Sequence, residues 1–227
     1  LLRSKANVHD PEPGGDGKPN MCWRRAVRLD RVEAVKLLLA HKVDVDTCGL
    51  DGKTAAALRW ASRCGQTEMV KLLLSHKADV HADQNHSLRI AAYNGHAETV
   101  RTLLKYRADV HIMRETPLYW TVNRGHVATV QLLLNHKADV HVGPFLDVAV
   151  KEGFADIARL LLSAKAIIEW RHCHFAAITD HREMVCLLLK NHANPMAVHN
   201  TDFAKRHLSM EPTTARIDDV ALAMRIG

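Results

Sequence analysis

At 227 residues the chain is longer than one compact core usually needs yet short for two large domains, and 47% hydrophobic with 25% charged residues excludes a disordered, collagen-like or low-complexity polymer. A formal charge of +6 permits anionic partners without demanding them, and apolar runs such as Leu72 to Leu74 fall far short of the roughly 20 residues that span a bilayer. Five cysteines, odd in number and without a Cys-x-x-Cys pair, argue against a disulfide framework or zinc ribbon and point to a reducing intracellular compartment, the cytoplasm first.

One phrase recurs along the chain: LLLAHKVDVD, LLLSHKADVH, LLKYRADVH, LLLNHKADVH and, more loosely, LLLSAKAIIE and LLLKNHANP. Marked at the residue after its Lys, Arg or His, it falls at Ala6, Val43, Ala78, Ala108, Ala138, Ala166 and Ala193, with intervals of 37, 35, 30, 30, 28 and 27. The chain is therefore an array whose period contracts toward its C-terminus. In chain order, residues 1–10 read as the close of a repeat whose beginning lies outside the sequence, and 11–20 as a Pro/Gly-rich insertion loop. Six repeats follow at 21–50, 51–83, 84–112, 113–142, 143–169 and 170–198. The stretch 199–227 reads as a degenerate repeat or cap, in which Thr214 precedes a helical pattern of Ile217, Val220, Ala221 and Met224.

Each repeat predicts two short helices. Leu118, Thr121 and Val122 share one side of the first, and Val130, Leu133 and Leu134 one side of the second. Neither is long enough to be stable alone, so the two must pair, and pairs must stack into one elongated core. Gly125 supplies the turn between them, where a positive φ is easiest without a Cβ.

The run Thr116-Pro117-Leu118-Tyr119-Trp120 to Gly125-His126, with Glu68-Met69-Val70-Lys71-Leu72-Leu73-Leu74 and the closing Ala-Asp-Val, resembles the ankyrin repeat over about residues 20 to 198. The resemblance implies an all-α solenoid of helix-turn-helix units with shortened β-hairpin loops and a C-terminal capping helix. Proline at the first position of the first helix is kept in clean form only at Pro117, and the inter-helix glycine at Gly65, Gly95, Gly125 and Gly153 becomes Asp30 and Asp180 at the two ends. The fingers are clipped, with only His141 to Phe145 between Val140 and Leu146.

Chemistry-bearing motifs are few. Gly14-Gly15-Asp16-Gly17-Lys18-Pro19 places proline where a phosphate loop needs Ser or Thr, so nucleotide binding is not expected. His172-Cys173-His174 puts Cys173 at a core position, and adjacent residues on a helix do not converge on one ion. The histidine columns (His41, His76, His136; His81, His111, His141; His96, His126) follow from repetition, and the resemblance implies backbone hydrogen bonds for His96 and His126. No nucleophile with a base stands out, so no catalysis, metal or cofactor is expected.

Two sets of residues are candidates for binding. A basic column, Lys5, Lys42, Lys77, Arg107, Lys137 and Lys165, replaces the family's helix-ending glycine. It is read either as a stripe for nucleic acid or anionic lipid, or as helix C-terminal cations partly neutralised by Asp44, Asp79, Asp109 and Asp139. The resemblance also implies a concave face lined by first helices, which by register takes Arg25, Arg28, Trp60, Arg63, Ile90, Tyr93, Trp120, Asn123, Arg124, Val148 and Lys151. Trp60 and Trp120 are the expected apolar anchors, or else they fill gaps between repeats. The function expected is a protein-protein interaction module, with a structural subunit of a larger assembly or electrostatic docking through the basic column as alternatives.

Overall fold

The computed structural model describes residues 21–43, 45–46 and 55–193. Lys5, Asp44, the first partial repeat, the insertion loop and the C-terminal cap expected from the sequence lie outside them. The described residues form six helix pairs: α1 (Met21–Arg28) with α2 (Val32–Ala40), α3 (Ala56–Arg63) with α4 (Thr67–Ser75), α5 (Ala82–Tyr93) with α6 (Ala97–Lys105), α7 (Ile112–Asn123) with α8 (Val127–Asn135), α9 (Phe145–Lys151) with α10 (Ala155–Ser163), and α11 (Trp170–Ile178) with α12 (Arg182–Lys190). First helices pack on first helices and second on second, which makes a two-layered all-α solenoid.

Periodicity dictates what is buried. Trp23, Leu58, Leu88, Leu118, Leu146 and Cys173 hold one equivalent position in successive first helices, and all are buried. Val70 with Leu73, Val100 with Leu103, and Val130 with Leu133 do the same in the second layer. A buried leucine contributes about 1.5–3 kcal/mol, whereas an isolated helix of nine residues is marginal in water. Stacking, not helix propensity, therefore holds each pair.

Every helix of the array closes in the same way. At the end of α4 the Ala78 N–H donates to Leu73 O (3.1 Å) and the Lys77 N–H to Leu74 O (3.0 Å), with Lys77 left-handed at φ 67°. Lys42, Arg107, Lys137, Lys165 and His192 take the same conformation, at φ between 62° and 67°. The basic column thus occupies left-handed caps, where a residue with a Cβ costs on the order of 1 kcal/mol. Lys77→Gly is expected to raise the unfolding free energy by about 0.5–1 kcal/mol, part of the gain being offset by the freer unfolded chain. Urea denaturation checks this, and a lower midpoint would overturn it.

Gly65, Gly95, Gly125 and Gly153 turn each first helix into its second at φ 70–74°, and Asp30 and Asp180 do so at 52° and 60°. The fingers are reduced to links over 76–81, 106–111 and 164–169, and no strand is present among the described residues. Two of these links, and the start of the longer one at 136–144, are pinned by aspartates. Asp79, Asp109 and Asp139 each accept the backbone N–H of the histidine two residues on, at 2.8–2.9 Å. Their carboxylates are thus held in place by backbone.

Two first helices start ahead of the position the sequence suggests. Asp83, Gln84 and Asn85 are left-handed (φ 50–55°), so regular α5 begins at His86. Arg89 holds this turn by donating to Gln84 O (3.2 Å) and Asp83 O (3.1 Å), and buried Asn85 accepts the Asp109 N–H (3.0 Å) from the next link. α7 begins at Ile112, which places Pro117 inside the element instead of at its first position.

Candidate functional site

Repeats are joined near the inter-helix turns by histidine. His96 Nε2–H donates to Arg63 O (3.0 Å) and His126 Nε2–H to Tyr93 O (3.1 Å), each reaching back to the preceding first helix. The rings sit against glycine: a Cβ at Gly65 would lie 2.7 Å from His96 Nδ1, and one at Gly95 2.6 Å from His126 Nδ1. His41, His76 and His136 cap second helices, and Nδ1–H of the latter two reaches Leu72 O (3.0 Å) and Leu132 O (2.9 Å). These histidines are structural.

His172-Cys173-His174 resolves into separate environments. Cys173 is buried, which pushes its thiol up to about 11. Buried His172 accepts the Glu169 N–H at Nδ1 (2.8 Å) and faces Asp147 Oδ1 with Nε2 (3.1 Å), so the ring is neutral with its proton on Nε2. Arg171 donates to Asp147 and Glu169 beside it, along a cleft of about 330 Å³ that the clipped finger at Gly143 and Pro144 leaves open. Among the described residues no three His, Cys, Asp or Glu side chains are placed to hold a metal ion.

Burial lowers the affinity of His172 for a proton, against the opposing pull of Asp147 and Glu169, and burial followed by Arg124 lowers that of His126. A folded-state value below the ordinary histidine value of 6.5 means that the unfolded chain takes the proton first. The stability from these neutral rings is therefore complete above 6.5 and is lost as pH falls below it. Thermal melts should drop on going from about pH 7.5 to about pH 5, and His172→Gln should melt lower at neutral pH but with a shallower drop. Equal drops in both proteins would overturn the assignment.

The face of the first helices opposite the core carries the predicted contact set, and the structure divides it. Tyr93, Trp120 and Arg124 come together. The Trp120 ring meets Tyr93 edge-on at 5.3 Å and Tyr119 at 5.4 Å, while the Arg124 guanidinium lies 4.2 Å from the Tyr93 ring centroid and donates to the Tyr93 hydroxyl. Trp120 remains 37% exposed. Trp60, expected as a second anchor, is half-buried against the core with the Arg28 guanidinium 4.6 Å from its ring centroid. Arg25, Arg63 and Lys151 are exposed, and Ile90, Asn123 and Val148 half-buried.

Sequence reasoning missed the continuation of this face in the sixth repeat. Phe175 and Ile178 stand where Trp120 and Asn123 stand in the fourth, 44% and 51% exposed, and Trp170 nearby is 66% exposed. The same register carried one repeat further finds Phe175 and Ile178. The basic column lies elsewhere, at the link ends of the second helices.

The ankyrin-repeat family model for three copies matches residues 2–84, 23–114 and 88–170, and that for a single ankyrin repeat matches 173–200. Among solved structures, an ankyrin repeat domain from Acinetobacter baumannii AYE is similar, with a TM-score of 0.66 and 26% identity over 76% of this chain and 98% of that one. No curated protein matches the chain.

Proposed function

Since the chain belongs to the ankyrin-repeat family, we propose that it is a non-catalytic module that binds a protein partner through the open face of its first helices. The observation that carries this reading is the Tyr93–Trp120–Arg124 cluster. Its central indole is exposed, yet its rotamer is fixed by two aromatic edges and its neighbour by a guanidinium. A side chain immobilised before binding loses little further freedom on contact, and Trp, Tyr and Arg are the types that dominate interface energies. The short links leave the first helices unobstructed. Family membership supports the class of function, whereas the choice of residues rests on this chain's own geometry.

A photoreactive residue replacing half-buried Asn123, beside the cluster, tests the reading in extracts of the source cells. A discrete protein adduct is expected, insensitive to nuclease, reduced at least about tenfold by Trp120→Ala, and absent when the probe replaces Lys77. Adducts from position 77 alone, dependent on nucleic acid or lipid, would move the functional surface to the basic column and overturn the proposal.

A further inference from the structure

The two helix layers treat their charges differently. On the second helices, cations pair with carboxylates one turn away: Lys36 with Glu33 and Lys71 with Glu68 at 2.7 Å, Arg101 with Glu98 at 3.3 Å. Arg159 in addition reaches Glu183 of the next repeat at 3.1 Å. The first helices α1 and α3 hold Arg24, Arg25, Arg28, Arg59 and Arg63 and no acid at all. Of these five, Arg59 alone has a carboxylate partner among the described residues, Asp83 at 3.4 Å. Toward the other end the same face gains exposed apolar side chains, Trp120, Phe175 and Ile178, with the cations Arg124 and Lys151 between them. Of the acids described there, Asp147 is engaged by Arg171 and His172 and Glu169 by Arg171, while Glu152 and Asp180 lie in the turns that follow α9 and α11.

We infer, resting on the reading of this face as a protein-binding surface, that the partner is an extended peptide segment, acidic at one end and aromatic or aliphatic at the other. Its carboxylates lie over α1 and α3, where arginine forks donate to them in bidentate pairs, and its apolar side chains lie over α7 to α11. Spacing sets the separation of the two ends. Adjacent helices stand about 10 Å apart, so α1 to α7 spans roughly 30 Å, which an extended chain at about 3.3 Å per residue crosses in about nine residues. Single-stranded nucleic acid would also meet the arginines, but it needs free aromatic faces for its bases. On α1 and α3, beside the arginines, the aromatic rings are buried Trp23 and half-buried Trp60, over which Arg28 lies, while the exposed Trp120 and Phe175 stand at the other end of the face.

A displayed library of random peptides, selected on the full chain and retested on variants, decides the matter. Enriched peptides are expected to carry an Asp/Glu cluster followed, about nine residues on, by Leu, Phe, Trp or Met. Their affinity should fall with rising salt and drop at least about tenfold on Arg25→Glu with Arg63→Glu. Should that double variant fail to fold, Arg25→Gln with Arg63→Gln replaces it and should show a smaller loss in the same direction. Peptides sensitive to Trp120→Ala but lacking acids and indifferent to the arginine changes would overturn this inference and leave the binding face standing. An absence of any peptide sensitive to Trp120→Ala would overturn both. Single-stranded RNA of mixed sequence that binds tighter than every peptide, and is lost on the arginine changes, would also overturn it.

Discussion

Gly95→Ala is expected to lower the unfolding free energy by about 3 kcal/mol, read by urea denaturation. Two effects add. Gly95 has φ 73°, a left-handed conformation that costs an alanine about 1–2 kcal/mol. The new methyl would also lie 2.6 Å from His126 Nδ1 and within 2.7 Å of two further atoms of the same ring, which is closer than any tolerated contact. The imidazole must swing away and release the carbonyl of Tyr93, a hydrogen bond whose loss costs on the order of 1 kcal/mol. Gly125→Ala is the control: φ is similar, but its neighbour is Phe154 at 3.0 Å, with no hydrogen bond to lose, so its penalty should be the smaller of the two. Equal effects would show that backbone strain alone decides, and a change under about 1 kcal/mol at Gly95 would refute the account.

Leu118→Ala should remove about 3 kcal/mol and change the shape of the transition as well as its midpoint. Leu118 is fully buried at the centre of the array, between α5 and α9 on its own layer and against α8 on the other. A cavity there weakens both interfaces of one repeat. In a chain of nearest-neighbour couplings, this lets the two flanks unfold at different denaturant concentrations. Leu188→Ala in α12 removes the same kind of buried side chain at the end of the described array. It should fray the last pair and leave a single main transition. Circular dichroism with native-state hydrogen exchange separates the cases, and one cooperative transition for Leu118→Ala would show that coupling between repeats exceeds the cavity cost.

Most of the fold was legible because it repeats. The spacing of Leu58, Leu88 and Leu118 fixed the first-helix core, and Lys77, Arg107 and Lys137 marked left-handed caps from their place in the phrase. What was not legible depends on single events inside the repeat. The left-handed turn at Asp83–Asn85 has no glycine to announce it, since Arg89 four residues on and the Asp109 N–H from the next link, bonded to the buried Asn85 side chain, hold it. The candidate face was legible as a register but not as a surface. Register put Trp60 and Trp120 in one column, and only the neighbouring side chains, Arg28 over one and Tyr119 against the other, set them apart. The backbone N–H that each link aspartate accepts was not legible from its place two residues after the cation.

The equal closure of each unit makes residues 82–111 a removable cassette. His81 and His111 have nearly the same backbone angles, φ −89° and ψ −6° against φ −84° and ψ 4°, so a chain leaving His81 can continue into Ile112 without a new bend. Gly65 would then face His126 in place of His96, and Arg63 O would meet the same kind of imidazole donor as before. Thr67, which now bonds the Thr99 hydroxyl at 3.0 Å, would meet Thr129, also buried and of identical chemistry. The array is thus built in interchangeable steps, so that its length changes by whole repeats.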